Sequence, residues 1–250
     1  MARPERDMAN SLVHRELAPD DADDTKTGRV SAHLATVLTG RAVPYTRPGS
    51  RSAIDKRPVD GPVKVTKLGL DGDEQGDRVA HGGPDKAVLM YAFEHYAIWR
   101  EELGPRLILD APGAFGENLS AVGLTERNAC LGDLLRIGGA LLEISQPRQP
   151  CWKLADRFGV PDMALRVAAK RRTGWYLRIL EEGLIASGDG VSLTSRPFPA
   201  WPIRRLIELL EPHPVDRNEL NAALALPLVP GWRKPVEARL QRGLAGKSGK

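Results

Sequence analysis

The chain has few cysteines and lacks any long apolar run. Its 250 residues contain two cysteines, Cys130 and Cys151, which are too few for the disulfide framework of a secreted scaffold. No apolar stretch approaches the ~18 residues that span a bilayer, and the polar N-terminal residues contain no apolar signal-peptide core. We therefore expect a cytoplasmic protein that has two free thiols and does not cross a membrane.

Several sequence motifs with known chemistry are also missing. There is no C-x-x-C pair, H-E-x-x-H helix, Walker phosphate loop, G-x-S-x-G elbow or G-x-G-x-x-G turn. These absences argue against a zinc site, a P-loop NTPase and an α/β-hydrolase. The segment from Asp71 to Asp77 resembles the start of a calcium-binding loop, but the twelfth position is Gly82 where a glutamate is required. We therefore do not expect calcium binding.

What the chain does contain is glycine and proline, at 25 and 20 residues respectively. Together with several short apolar stretches, they predict many turns and short strands, including a hairpin at Gly138-Gly139. Helical spacing is predicted for Glu94 to Leu103. The predicted fold is therefore mainly β, a barrel or sandwich with inserted helices.

The pattern changes after Pro197, where glycine-rich turns and β-rich segments end and three amphipathic stretches follow. We predict three parts in the chain. They are an acidic, disordered extension over residues 1–28, a β-barrel domain over 29–197 and a small all-α domain of three helices over 198–245.

Cys151 has the most distinctive surroundings in the sequence. A strand is predicted to end at Ser145, two prolines stiffen the segment that follows, and Cys151 stands where a helix is predicted to begin. The helix start and the nearby Arg148 and Lys153 favour an ionised thiol, which suits nucleophilic attack or ligation of a soft metal. The alternative is a buried structural cysteine, and that is the interpretation we give to Cys130, which lies in an apolar stretch.

Three further segments could contact a ligand. The long loop from Gly40 to Pro62 is rich in cations and is either an anion-gripping loop or a mobile surface loop. The segment from His81 to Lys86 contains a glycine pair that allows close approach to an anion, and His81 could transfer a proton. The segment Phe115-Gly116-Glu117-Asn118-Leu119 forms either a shaped binding loop or an Asx turn.

Taken together and in this order, the segments Gly76 to Val88, Phe115 to Leu119 and Pro147 to Leu154 resemble the MOSC domain family, specifically its YiiM-like branch. Leu131-Gly132-Asp133 also fits that branch, and the helical tail with Pro230-Gly231-Trp232 resembles the three-helix domain often appended there. The resemblance implies a β-barrel core and a molybdenum cofactor, which is a pterin dithiolene with a terminal phosphate.

The resemblance also implies roles for individual residues. Cys151 would ligate the metal, and we select His81 as the proton donor. The expected cofactor-binding residues are Arg41, Arg47, Ser52, Lys56, Asn118, Arg148 and Lys153. One departure from the family pattern is Ala80, because some relatives have a second histidine at that position.

The implied activity is reduction of N-hydroxylated bases and related N-oxygenated compounds, with electrons from an external reductase, since no flavin or iron–sulfur motif is visible. A second hypothesis is a sulfur-carrier protein with a persulfide on Cys151. A third, a nucleic-acid or anion-binding module, follows from the net charge of +4. It ranks last because no RNP, KH or helix-turn-helix signature is present.

Overall fold

The computed structural model describes residues 32–77 and 82–245, with side chains up to residue 242. The predicted disordered extension, residues 1–28, and the predicted proton donor, His81, lie outside the described residues.

The described residues form short strands that alternate with six helices. In chain order the strands are β1 (Ala32–Thr39), β2 (Val43–Pro44), β3 (Arg51–Ser52), β4 (Arg57–Pro58), β5 (Val63–Thr66), β6 (Gly69–Leu70), β7 (Val88–Ala92), β8 (Leu119–Val122), β9 (Leu134–Ile137), β10 (Ala140–Pro147), β11 (Trp175–Glu181), β12 (Gly183–Ile185) and β13 (Gly190–Ser195). The helices are α1 (Glu94–Leu103), α2 (Lys153–Phe158), α3 (Met163–Ala169), α4 (Ile203–Glu208), α5 (Arg217–Leu224) and α6 (Pro230–Ala245). Two 3-10 turns lie at Pro84–Lys86 and Leu107–Leu109.

Seven of these strands close into a barrel in the order β13-β9-β10-β11-β7-β8-β1, and β1 pairs again with β13. The closing seam consists of two residue pairs, Ala32 with Val191 and His33 with Gly190. Neighbouring strands in the ring are antiparallel except β7 and β8, which are parallel. Because parallel neighbours need a crossover connection, the chain between them contains α1.

One hydrophobic core joins the barrel interior to the C-terminal helices. Buried residues of the barrel strands and of α4–α6 belong to the same cluster, which includes Leu135, Ile144, Trp201, Leu206, Leu220, Trp232 and Val236. Backbone hydrogen bonds cross the junction, from Ile203 N to Ala129 O at 2.8 Å and from Arg204 N to Glu126 O at 2.7 Å. The barrel with inserted helices and the small helical C-terminal region confirm the predicted fold class. The domain boundary after residue 197 stays a prediction.

A second, aromatic core lies where α1, α2 and α3 pack against the outside of the barrel. Tyr91 of β7 stacks on Phe115, with ring centroids 4.2 Å apart, and Phe158 of α2 contacts the other rings through Phe115 at 5.0 Å. Tyr96 and Trp99 of α1 complete the buried cluster. This core fixes the loop that precedes β8 and the helix that follows Cys151 relative to each other.

The apolar sequence from Ala129 to Ile137 predicts one continuous strand, and this prediction is wrong in its first half. The strand begins at Leu134, and Cys130 forms only an isolated bridge with Pro202. The reason is a turn at Gly132, whose φ of 75° is poorly accessible to other residues. The Asp133 carboxylate stabilises this turn by accepting a hydrogen bond from the Cys130 amide at 2.9 Å. The helix predicted from Glu94 to Leu103 is confirmed.

In the part of the chain that the structure describes, no helix combines the length and the apolar character needed to cross a bilayer.

A buried ion pair joins the aromatic core to the barrel. His95 Nε2 of α1 lies 2.6 Å from Glu126 Oε2, and both side chains are buried. The other oxygen of Glu126 accepts a hydrogen bond from Gly174 N, just before β11, at 2.7 Å. Burial raises the pKa of Glu126, but His95 and the Gly174 amide outweigh this effect, so the pKa lies below its ordinary value of 4.5.

We expect Glu126→Gln to lower the free energy of unfolding by about 2 kcal/mol at pH 7, because it weakens hydrogen bonds to a buried charge. The folded-state pKa of Glu126 lies below the ordinary 4.5. The contribution of the carboxylate to the free energy of unfolding is therefore complete above pH 4.5 and is lost as the pH falls through the folded-state pKa. Urea titrations of both proteins should therefore show a constant difference above this value and a shrinking difference below it. The control is Glu101→Gln, an exposed position on α1. An equal loss in both variants would contradict the assignment.

Candidate functional site

A pocket lies beside the end of β10 and the starts of β7 and β8. It encloses about 630 Å³ of space, which includes open solvent at its mouth. Most of the residues that line it come from the three segments that carry the family resemblance and from the loop between β1 and β5. The others are Asp73, Glu74, Gln75, Leu89 and Tyr176. Six predicted site residues line the pocket: Ser52, Lys56, Asn118, Arg148, Cys151 and Lys153.

Cys151 is a partly exposed, free thiol on the wall of this pocket. The chain leaves β10 at Pro147, and Cys151 follows one residue before the N-cap of α2, Trp152. Cys130 differs from Cys151 in its accessibility to solvent. It is buried, and its burial raises the pKa of the thiol to about 11. The structure therefore identifies Cys151 as the accessible thiol.

Arg148 is a buried cation whose side chain has no counter-ion among the described residues. Its side chain lines the pocket, the residue is 5% exposed, and its Nη1 has no hydrogen-bond partner. Its backbone N donates to Gly174 O at 3.0 Å, so the residue is anchored next to β11. A buried guanidinium without a partner is costly, which is typical of a site that awaits an anion.

Lys153, at the start of α2, and Ser52 lie where α2 meets the long loop after β1. Lys153 is buried and donates from Nζ to the Arg51 carbonyl at 3.0 Å, while its own carbonyl accepts from Tyr45 Oη at 3.2 Å. Ser52 Oγ accepts from Ile54 N at 3.2 Å. The bonds of Lys153 thus attach the loop from Gly40 to Pro62 to the start of α2, and the ligand-binding interpretation of this loop stays a prediction.

Lys56 and Asn118 form a network around Asp73. Asp73 Oδ1 accepts from Gly40 N at 2.8 Å and from Lys56 Nζ, and Oδ2 accepts from Asn118 Nδ2 at 2.8 Å. Asn118 Oδ1 accepts from Leu89 N at 3.1 Å. Burial lowers the pKa of Lys56, and Asp73 partly offsets this shift. The Asn118 amide is therefore engaged within the protein, and both residues shape the pocket wall through Asp73.

Arg41 and Arg47 lie outside the pocket lining. Arg41 Nη1 pairs with Glu74 Oε1 at 2.8 Å and its side chain is 74% exposed. Arg47 stacks its guanidinium over the Trp152 ring, 3.8 Å from the centroid. The structure brings Arg47 next to the residue that follows Cys151, whereas it leaves Arg41 neutralised at the surface.

The segment after His81 is fixed to the barrel through Asp85. The Asp85 carbonyl accepts from Ser145 Oγ at 2.7 Å and from Gln146 Nε2 at 3.0 Å, and its carboxylate accepts from Arg178 Nε at 2.7 Å. Lys86 lines the pocket and lies 5.9 Å from the centre of the Tyr176 ring. Burial lowers the pKa of Lys86, and Asp77 and Asp85 partly oppose this.

A buried carboxylate holds the loop that carries Asn118. Glu117 accepts from Gly113 N at 2.8 Å, from Phe115 N at 3.1 Å and from the Tyr96 hydroxyl. Gly116 has a φ of 75°, and a Cβ there would come within 2.7 Å of Ile54 Cγ1. The loop is therefore a shaped element packed against the 52–56 segment, beyond what an isolated Asx turn requires.

Sequence reasoning missed the structural roles of Asp73 and Glu117. Asp73 belongs to the segment that we compared with a calcium loop and then treated as a turn. A signal was available, because acidic residues directly after a strand in a glycine-rich segment often bind nearby donors. Within the described residues, no group of three or more His, Cys, Asp or Glu side chains is arranged to hold a metal ion.

Comparison with known families finds two matches along the chain. Residues 77–192 match the MOSC domain and residues 201–243 match the YiiM-like 3-alpha helix domain. The crystal structure of YiiM from Geobacillus stearothermophilus is similar, with a TM-score of 0.70 and 32% identity, over 84% of this chain and 99% of that one.

Three curated relatives are similar in sequence. Protein YiiM of Escherichia coli is 37% identical over 84% of this chain and 92% of its own length. The uncharacterized protein YflK of Bacillus subtilis is 48% identical over 58% of this chain, and a protein named Reductase from Gibberella moniliformis is 39% identical over 76%. The matches span 64% of the Bacillus protein and 34% of the Gibberella protein. The fold, the order of the two matched domains and the match to Escherichia coli YiiM over 92% of that protein agree. The chain therefore belongs to the MOSC domain family, in its YiiM-like branch.

Proposed function

We propose that this protein is a molybdenum-cofactor-dependent reductase of N-hydroxylated bases and related N-oxygenated compounds, with Cys151 as the protein's ligand to the metal. The observation that carries the proposal is that one pocket contains an accessible thiol and the buried guanidinium of Arg148, which has no partner within residues 32–77 and 82–242. The family and the relative named Reductase support an oxidoreductase.

The residues present fit such a cofactor. A molybdenum cofactor is anionic through its phosphate and its dithiolene sulfurs, and four cations line the pocket: Lys56, Lys86, Arg148 and Lys153. Arg148 can supply a forked, charge-assisted contact to a phosphate or another anion. The cysteine thiolate is a soft ligand suited to a redox-active metal.

When bound, the cofactor would supply the two electrons that reduce the N–O bond of the substrate. Conversion of a hydroxylamino group to an amine also consumes two protons and releases water, so the protein must deliver protons to the pocket. His81 remains our proposed donor. Lys86, a cation on the pocket wall with a pKa lowered by burial, is a second group able to hold a proton there. Asp73 and Glu117 keep the pocket walls in place.

The electrons must come from outside this chain. We propose a separate reductase as partner, and the Gibberella relative supports this, because the region similar to our chain makes up 34% of a longer protein named Reductase. We also propose a cytoplasmic location, since both cysteines are free thiols, which a reducing compartment maintains.

We expect the protein purified from a molybdenum-replete host to contain about one molybdenum and one pterin per chain, as the proposed single Cys151 site requires. Cys151→Ala should abolish both the metal and the reduction of 6-N-hydroxylaminopurine with an artificial reductant. The matched control is Cys130→Ala, which should keep both because Cys130 lies away from the pocket. Full turnover by metal-loaded Cys151→Ala would refute the proposal. A labile extra sulfur on Cys151 without pterin would instead identify a sulfur carrier.

Arg148 gives a second test, in which binding and stability should change in opposite directions. Arg148→Met should weaken cofactor binding about 10- to 100-fold, through loss of charge-assisted hydrogen bonds. The same change should raise the free energy of unfolding of the cofactor-free chain by about 1 kcal/mol, because it removes a buried cation without a partner.

The matched control for this test is Arg157→Met. Arg157 is also largely buried, but it is paired with Asp55 and donates to the carbonyls of Gly113 and Ala114. Its replacement should therefore lower the free energy of unfolding. Equilibrium denaturation of both variants, together with pterin content after reconstitution, decides the question. A destabilised Arg148→Met that binds cofactor normally is the outcome that rules out the assigned role.

A further inference from the structure

The C-terminal helices reach the Cys151 segment through one side chain. Trp232 lies in the first turn of α6, is 3% exposed, and donates from Nε1 to the carbonyl oxygen of Pro147 at 3.0 Å. The two residues are 85 positions apart in the sequence. The contact is buried, so it does not exchange freely with water.

Pro147 is a sensitive place for such a bond. It is the last residue of β10, and Arg148 follows it directly. The Arg148 amide is bonded to Gly174 O at 3.0 Å, and the next backbone bond along the chain begins at the Cys151 carbonyl, which accepts from Leu154 N at 3.1 Å. The segment that carries the thiol therefore lies between two anchored points. One is the end of β10, held by Gly174 and Trp232, and the other is the start of α2, held by the bonds of Lys153.

Helix α6 is itself held in place by other contacts, so the hydrogen bond from Trp232 can fix the position of the Pro147 carbonyl. The Arg239 guanidinium donates to the carbonyls of Glu211 and His213. The Glu211 carboxylate in turn pairs with Arg171, which follows α3, with Nε and Oε1 2.6 Å apart. The C-terminal helices thus contact the chain at two places. One is Pro147, before α2, and the other is Arg171, after α3.

We propose that Trp232 is a positioning residue for Cys151: by holding the Pro147 carbonyl, it fixes the segment on which Arg148 and the thiol are placed. This rests on the proposed function in so far as Cys151 is taken as the functional thiol. It gives the C-terminal helices a direct part in building the site, and it explains why their core is continuous with that of the barrel.

The test compares two tryptophan variants in the full-length chain, produced in a host that makes no molybdopterin. Trp232→Phe removes the indole N–H but keeps an aromatic ring. The matched control is Trp201→Phe, a second buried indole in the same core that makes no hydrogen bond to the Pro147–Cys151 segment. Hydrogen–deuterium exchange is followed at the Arg148 amide, which donates to Gly174 O, and the Leu38 amide of β1, which donates to Asn118 O, is the internal reference for global opening.

In Trp232→Phe we expect the ratio of the Arg148 exchange rate to the Leu38 exchange rate to rise about fivefold, the change that the loss of one hydrogen bond produces in a local opening equilibrium. In Trp201→Phe the ratio should stay within about twofold of the parent value. Equal ratios in the two variants would overturn the proposal. If Trp232→Phe does not fold, benzothienylalanine at position 232 removes the N–H while keeping the shape, and the same ratio decides. Because this measurement needs no metal, it stands apart from the molybdenum analysis.

Discussion

The buried guanidinium of Arg148, which has no counter-ion in the part of the chain that the structure describes, is the constraint around which the pocket is organised. Removing a cation from water without a counter-ion costs several kcal/mol, and buried arginines are normally paired. Here the backbone of the residue is bonded to Gly174, so the side chain is held at the pocket by the same strand register that shapes the barrel. Under the proposed function, an anion bound in the pocket offsets this cost through a strong contact that is already formed.

The acidic residues near the pocket explain how this positive character survives. Asp73 and Glu117 are buried on either side of Asn118, yet their oxygens already accept hydrogen bonds from backbone amides and from Lys56, Asn118 and Tyr96. They act as internal anchors for two loops. Glu126 does the same at Gly174, two residues before Tyr176 on the pocket wall. Loop geometry and pocket charge are therefore set by separate groups.

The sequence made some of these features predictable and concealed others. Helix α1 follows from its helical spacing and the Gly104 stop, and the barrel class follows from turn density and the Gly138-Gly139 hairpin. The position of Cys151 after a strand could be predicted, because the prolines and the strand pattern are local. The bonds from Lys56 to Asp73 and from Trp232 to Pro147 could not, since no periodicity reports contacts between distant segments. Arg41 illustrates the same limit. The cation-rich composition of its loop indicated that Arg41 binds an anionic ligand, but Glu74, which is distant in sequence, neutralises its charge.

The two-pair seam between β1 and β13 has a consequence for how the molecule assembles. These strands stand at the two ends of the barrel sequence, so the entropy of closing a very long loop must be overcome before they can meet. During synthesis the ring therefore stays open until β13 has left the ribosome, whereas β9 and β10, which are joined by the Gly138-Gly139 turn, can pair earlier. The C-terminal helices follow β13 in the chain, so the core that they share with the barrel can be completed only after the strands that close the ring have been made.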